Sequence, residues 1–184
     1  MDPAGYEKIE TLKNSTAVRV RAIRPDDKRR LSEVFRNLEA ESIYTRFFYH
    51  KKALSDDELR VATEVDFENV VALVVTTGIG EKEVIIGGGG FAAFDTPGRQ
   101  RSAEVAFTVE EDYHGQGIAS RLLRHLVHIA REKGVSQFEA EVLPENNAML
   151  GVFERSGLPM KKESGGGVVH VTLSLARDGS CCSF

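Results

Sequence analysis

Between Val109 and Leu123 the chain puts small residues where a bound group would need to approach the backbone. Gly115, Gly117 and Ala119 stand at alternate positions within Tyr113-His114-Gly115-Gln116-Gly117-Ile118-Ala119-Ser120. An amphipathic segment follows at once, and the unpaired N–H groups of a first helical turn point at whatever sits in front of them. A pyrophosphate is the natural occupant. A Walker loop needs Gly-Lys-Ser or Gly-Lys-Thr, where this chain has Gly117-Ile118-Ala119-Ser120, so that reading fails. A dinucleotide fingerprint fits better through Gly115, Gly117 and an acid about twenty positions on, Glu139. Against it, Ser120 replaces the third glycine, five residues separate strand from turn, and repeated βαβ units are lacking.

A second chemical group precedes the turn. Glu104 shares a strand face with Ala106 and Thr108, whose small side chains leave space beside it. A carboxylate there suits removal of a proton from an amine, since a lysine with pKa about 10.4 is neutral in only about one molecule in 2,500 at pH 7. The competing reading is an ordinary exposed strand carboxylate. His125 and His128 sit three apart on the polar face of the following helix, but no Cys or third His clusters with them, so no metal site is expected and both are read as solvated. Arg121, Arg124 and Arg131 share that surface. Arg121 is within reach of a phosphate, and Arg131 complements the helix C-terminus.

The elements that must hold these groups follow from periodicity. Val18 to Ile23 alternates apolar residues with Arg19 and Arg21, which suits a strand with one exposed face. Leu31, Val34, Phe35 and Leu38 recur at helical spacing behind Asp26 and Asp27, and a second helical region is expected around Ser42 to Phe48. Ser55-Asp56-Asp57-Glu58 is a capping box opening a helix through Thr63. Val70 to Thr77 and Glu83 to Phe94 read as a hairpin, with a Gly87 to Gly90 run that weakens pairing unless a bulge or a close backbone approach requires it. Glu104 to Val109 is a strand. Gln116 to Lys133 is the strongest helix, with Ile118, Leu122, Leu123, Leu126, Val127, Ile129 and Ala130 on its apolar stripe and Gly134 as its stop. A strand over Gln137 to Leu143, a helix over Glu145 to Ser156 and strands at Met160 to Glu163 and Val168 to Leu175 complete the order. The fold class is α/β (α+β), a mixed sheet with helices on both faces.

At 184 residues the chain suits one domain, residues 1–184, with a core over about residues 11–175 and a flexible tail over 176–184. Its 24 Lys plus Arg against 28 Asp plus Glu disfavour a nucleic-acid partner. The first ten residues are mixed and charged, and no segment is apolar for the length needed to span a membrane, so a cytoplasmic location is expected. The only cysteines, Cys181 and Cys182, cannot staple a core. With Ser183 and Phe184 they formally fit a prenylation box, but without aliphatic residues or a basic run the segment is read as tail.

His114-Gly115-Gln116-Gly117-Ile118-Ala119 resembles the signature of the GNAT acetyltransferases, which is Gln or Arg, two residues, Gly, one residue, then Gly or Ala. His114 occupies the first slot, which removes one expected polar contact. Val142 to Leu150, followed by Phe153-Glu154-Arg155-Ser156-Gly157-Leu158, is similar to the family's later strand and helix. Ala17 to Pro25, Ser42 to Phe48 and Ala103 to Val109 resemble the acetyltransferase domain of bacterial Pat-type protein lysine acetyltransferases. The resemblance covers about residues 11–175 and implies a mostly antiparallel GNAT-like sheet.

It also implies a site. Acetyl-CoA would be the cosubstrate, held by Phe107, Thr108, Val109, His114, Gly115, Gln116, Gly117, Ile118, Ala119, Ser120 and Asn146, with no metal. A bulge in the Glu104 strand would splay it from the next, a backbone N–H near Val109 would face the thioester oxygen, and Glu104 would be the base. Many relatives protonate the leaving thiolate with a Tyr where this chain has Phe153. Tyr44, Arg46, Phe47 and Phe48 would line the acceptor side or pack. The acceptor implied is a primary amine, with a protein lysine favoured. A small-molecule amine, or a non-catalytic CoA-binding regulatory domain, are the alternatives.

Overall fold

The computed structural model describes residues 2–38, 53–98 and 100–176. Among these, eight strands form one sheet: β1 (Glu7–Thr11), β2 (Ala17–Ala22), β3 (Val70–Thr77), β4 (Val84–Phe94), β5 (Ser102–Val109), β6 (Gln137–Val142), β7 (Met160–Gly165) and β8 (Val168–Ser174). They lie in the order β1-β2-β3-β4-β5-β6-β8-β7. Every neighbouring pair is antiparallel except β5 with β6, where a parallel pairing demands a long crossover. The helix between them supplies it. The helices are α1 (Lys28–Asn37), α2 (Asp56–Thr63), α3 (Ile118–Glu132) and α4 (Asn147–Glu154). The helical region expected around Ser42 to Phe48, including Tyr44, Arg46, Phe47 and Phe48, and the tail over 177–184 lie outside the described residues. No described helix is long and apolar enough to cross a membrane.

The two sheet faces are covered differently. Ile118, Leu122, Leu126 and Ile129 of α3 are almost fully buried against Val71, Leu73 and Val75 of β3 and Val105 and Phe107 of β5. Each such side chain stabilises the fold by about 1.5–3 kcal/mol. On the opposite face Ile23, Val74 and Ile85 pack against Leu31 and Val34 of α1. The Ser55 capping box forms as expected, with the Ser55 amide donating to Glu58 Oε2 at 2.8 Å and the Glu58 amide to Ser55 Oγ at 3.3 Å.

The glycine run answers both reasons that would justify it. The β3–β4 register steps from Val75↔Gly87 to Thr76↔Ile85, so Ile86 is bulged beside the run. A Cβ on Gly89 would stand 2.6 Å from Cδ1 of Phe107, and one on Gly90 2.5 Å from the Val71 carbonyl oxygen. The run therefore lets β4 pass close to both neighbours.

One strand went unread and one expectation is corrected. The mixed, charged N-terminus contributes an edge strand, in which Glu7–Thr11 pairs antiparallel with β2 from Glu7↔Arg21 to Thr11↔Ala17. Its strand residues are largely exposed, and burial falls on Tyr6 and Leu12 just outside them, so no alternation marks it. Nor does Arg21 face solvent. It is 1% exposed and grips Asp27, 0% exposed, through Nη1–Oδ2 at 2.7 Å and Nη2–Oδ1 at 2.8 Å. Its Nε donates to Glu83 Oε1 at 3.0 Å. Asp27 thus turns to Arg21 and the Arg24 amide and makes no side-chain cap on α1. The cluster ties β2, the α1 entry and the β3–β4 hairpin together.

Burial would raise the Asp27 and Glu83 carboxyls, but the hydrogen bonds and charge of Arg21, joined by Arg30 and by the Arg24 amide at Asp27 and Thr76 at Glu83, together hold both below their usual range. Groups depressed on folding contribute stability that is present above about pH 4 and is lost as pH falls through their folded values. Asp27→Ala leaves a buried guanidinium without its main partner. It should lower the unfolding free energy in urea at pH 7 by about 3–5 kcal/mol, and the acid loss of stability should shrink in the variant.

Candidate functional site

The parallel pairing between β5 and β6 covers three residue pairs, Ser102↔Gln137, Ala103↔Phe138 and Glu104↔Glu139. Beyond Glu104 each strand keeps only its outer partner. β5 stays on β4 as far as Val109↔Gly87, and β6 stays on β8 as far as Val142↔Val169. The sheet is therefore split in its middle, with a closed end at Glu104 and Glu139. No bulge interrupts the β4–β5 register, so the bulge expected in the Glu104 strand is absent there, and the irregularity lies one strand away at Ile86. Unpaired backbone groups inside a sheet call for another partner.

The residues read from the sequence line this split unequally. Glu104 is exposed at the closed end, and its carboxylate makes no hydrogen bond or ion pair among the described residues. Half-buried Ala106 and Thr108 continue its face. Glu139, across the pair, is held by Gln137 Nε2 at 2.8 Å. Phe107 turns its ring into the core, 6.2 Å from Phe153, so only its backbone can serve a ligand. Phe153 itself is 1% exposed and offers no acidic proton. On the far bank Asn146 caps α4, accepting from the Met149 amide at 3.1 Å with Oδ1. That leaves its NH2 for another acceptor.

At the mouth, Glu111–Tyr113 makes one 3₁₀ turn and the chain enters α3 through Gly115 and Gly117, with φ of 74° and 85°. Side chains are rarely tolerated in that region of backbone space. The α3 ladder starts where the Arg121 amide meets the Gly117 carbonyl at 3.1 Å. The amides of Gly117, Ile118, Ala119 and Ser120 precede it and have no acceptor among the described residues. Ile118 is 2% exposed, so its side chain belongs to the core and its amide to the turn. Four free amides at a helix start form an anion cradle.

Arg121 does not aim at this cradle. Its Nη1 donates to the carbonyls of Gln116 at 3.3 Å and Gly117 at 3.2 Å, its Nη2 to the Thr11 carbonyl, and its Nε lies 3.4 Å from Glu10. It thereby ties the turn's carbonyls to the end of β1. His114 folds back, with Nε2 2.9 Å from the Val109 carbonyl oxygen. The first signature slot thus braces the end of β5.

His125 is corrected from solvated to buried, at 8% exposed. β1 covers it, placing the Tyr6 hydroxyl 2.5 Å from Nδ1 and Glu10 Oε1 3.0 Å from Nε2. Burial lowers its pKa more than Glu10 raises it. Glu10 also takes Arg124 at 2.7 Å. Burial raises the Glu10 carboxyl, but Arg124 and His125 bring it down overall. His128 remains half-exposed beside Glu132. Arg131 Nε reaches the Leu175 carbonyl at 2.8 Å and so anchors the end of β8.

Glu110, which the sequence did not single out, has its carboxyl raised by burial and then by Asp112 and Glu111. The run of three acids before the turn was its only signal. Two surface hollows, of 730 and 320 Å³, gather near the C-terminal end of α3 and share no residue with the split or the turn. Among the described residues no three His, Cys, Asp or Glu side chains are placed to hold a metal.

The model of the acetyltransferase (GNAT) family matches residues 35–158. Acetyltransferase Pat of Mycolicibacterium smegmatis is 32% identical over 151 residues, covering 82% of this chain and 44% of that protein, so the chain spans less than half of that relative. The crystal structure of the GNAT domain of S. lividans PAT superposes with a TM-score of 0.82 at 34% identity, covering 91% of this chain and 96% of that one. YncA of Salmonella typhimurium, solved with its cofactor acetyl-CoA, shares the fold at a TM-score of 0.67 and 16% identity, covering 89% of this chain and 96% of that one.

The turn makes a specific demand on Gly117. A Cβ there would lie 2.6 Å from Arg121 Nη1 in a left-handed conformation. Gly117→Ala should therefore shift Arg121 and turn the free amides, weakening CoA binding at least tenfold by isothermal titration, with the strain costing about 1–2 kcal/mol. Unchanged binding would show that the amides do not hold the ligand.

Proposed function

Because the chain belongs to the GNAT acetyltransferase family, we propose that it moves the acetyl group of acetyl-CoA directly to a primary amine in a ternary complex, with a protein lysine as acceptor. The observation that carries this reading is the split between β5 and β6, which closes at Glu104 and opens beside the free amides of residues 117–120. In this reading the pantetheine arm takes the place of the missing strand pairing, between residues 107–109 and the end of β6. The diphosphate lies on the turn, and the Asn146 NH2 steadies the arm.

The chemistry follows from where charge develops. Glu104, directly or through a water, takes a proton from the acceptor ammonium, and the freed nitrogen attacks the thioester carbon. The carbonyl oxygen becomes an oxyanion, and a backbone N–H of β5 near Val109 stabilises it. Collapse breaks the C–S bond and expels the CoA thiolate. Phe153 has no proton to give, so the second proton of the attacking nitrogen leaves through water, which carries it to the thiolate as the amide forms. The exposed setting of Glu104 and the likeness to Pat-type domains both favour an acceptor presented on a protein surface.

The acceptor is tested by assaying acetyl transfer to lysine peptides against polyamines and free amino acids. Transfer confined to small amines would overturn the protein-lysine reading, and CoA binding without transfer to any amine would overturn catalysis. For the base, Glu104→Gln should lower kcat about 10²–10⁴-fold while leaving CoA binding intact. Turnover unchanged across pH would remove Glu104 from the mechanism.

A further inference from the structure

The short turn joining β1 to β2 is built onto the phosphate-binding turn. Leu12, 3% exposed, anchors it in the core, and the Leu12 amide closes it on the Thr16 carbonyl at 2.9 Å. The Asn14 amide donates to Gln116 Oε1 at 3.1 Å, and Arg121 Nη2 bonds to the Thr11 carbonyl. Residues distant in sequence are thus joined side by side. Between them runs Lys13, whose Cε stands 3.8 Å from where a Gly117 Cβ would be.

The charges around this point are otherwise committed. Arg121 is spent on three carbonyls and Glu10, and Arg124 on Glu10. Lys13 is exposed and makes no hydrogen bond or ion pair among the described residues. Its stem ends beside Gly117, on the turn that carries the free amides of residues 117–120. A strongly hydrated cation on a flexible stem suits a phosphate as a point charge.

We infer that the β1–β2 turn forms the second wall of the coenzyme phosphate site and that the Lys13 ammonium binds a phosphate of acetyl-CoA. This rests on the acetyl-CoA reading above. The Gln116 carboxamide oxygen is fixed by the Asn14 amide, which leaves its NH2 for another acceptor. The phosphate met is either of the diphosphate or the 3′-phosphate, which share one chemistry.

The test is isothermal titration of the full chain with CoA and with dephospho-CoA, for the wild type and Lys13→Ala, Lys13→Glu and Lys13→Arg, alongside thermal unfolding. CoA affinity should fall about five- to tenfold in Lys13→Ala and further in Lys13→Glu, with Lys13→Arg near the wild type. The melting temperature should hold. If dephospho-CoA is insensitive to Lys13→Ala, the partner is the 3′-phosphate. If it loses the same factor, the partner is the diphosphate. Wild-type affinity in Lys13→Glu overturns the inference alone, as does weakened binding that Lys13→Arg does not restore. Failure of the wild type to bind CoA overturns the acetyl-CoA reading, and this inference with it.

Discussion

Everything functional in this fold depends on two strands parting company. A parallel pair that begins at Ser102 and Gln137 holds only to Glu104 and Glu139, although both strands run on and remain paired on their outer sides. Backbone N–H and C=O groups in the middle of a sheet are costly to leave without partners. The split is sustainable because the rest of the sheet is rigidly defined. α3 packs across β3, β4 and β5 on one side, and the Arg21, Asp27 and Glu83 cluster locks the other end. The same geometry leaves a slot open between the two strands beyond Glu104 and Glu139.

The helix that bridges the two strands does two jobs at once. Its apolar stripe fastens β5 to the core, and its first turn ends the slot with free amides. Arg121 links the jobs, since it takes the carbonyls of Gln116 and Gly117 while lying beside Glu10 of β1. A guanidinium that looks from sequence like a phosphate ligand is occupied by three backbone carbonyls around the turn. His114 behaves similarly, bracing Val109 where the family pattern would place a polar side chain toward the ligand.

Much of this was legible before any coordinates. The glycine spacing at 115 and 117, the apolar stripe of α3 and the capping box at Ser55 are local signals, and each matches the backbone geometry it encodes. What escaped reading depends on partners distant in sequence. β1 has charged residues and no alternation, because it is an edge strand anchored at its ends by Tyr6 and Leu12. Arg21 and His125 sit at positions that periodicity marks as polar and outward. They are buried because an acidic partner arrives from elsewhere, Asp27 and Glu83 in one case and Glu10 in the other. The split could not be read from residue types at all. It is a difference between two registers, and only the resemblance to a family pointed to it.

The hub at Glu10 also bears on where this domain starts. The family match opens at residue 35, inside α1, which leaves β1 and β2 outside it. Yet Glu10 neutralises Arg124, orients His125 and sits against Arg121, all on the helix that carries the binding turn. A boundary drawn from the matched segment would strip two strands from the sheet and expose a buried imidazole. It would also set loose the arginine that ties the turn's carbonyls to the end of β1. The first dozen residues therefore brace the helix that starts at the glycine turn, and a shortened polypeptide would retain the signature glycines while losing that brace.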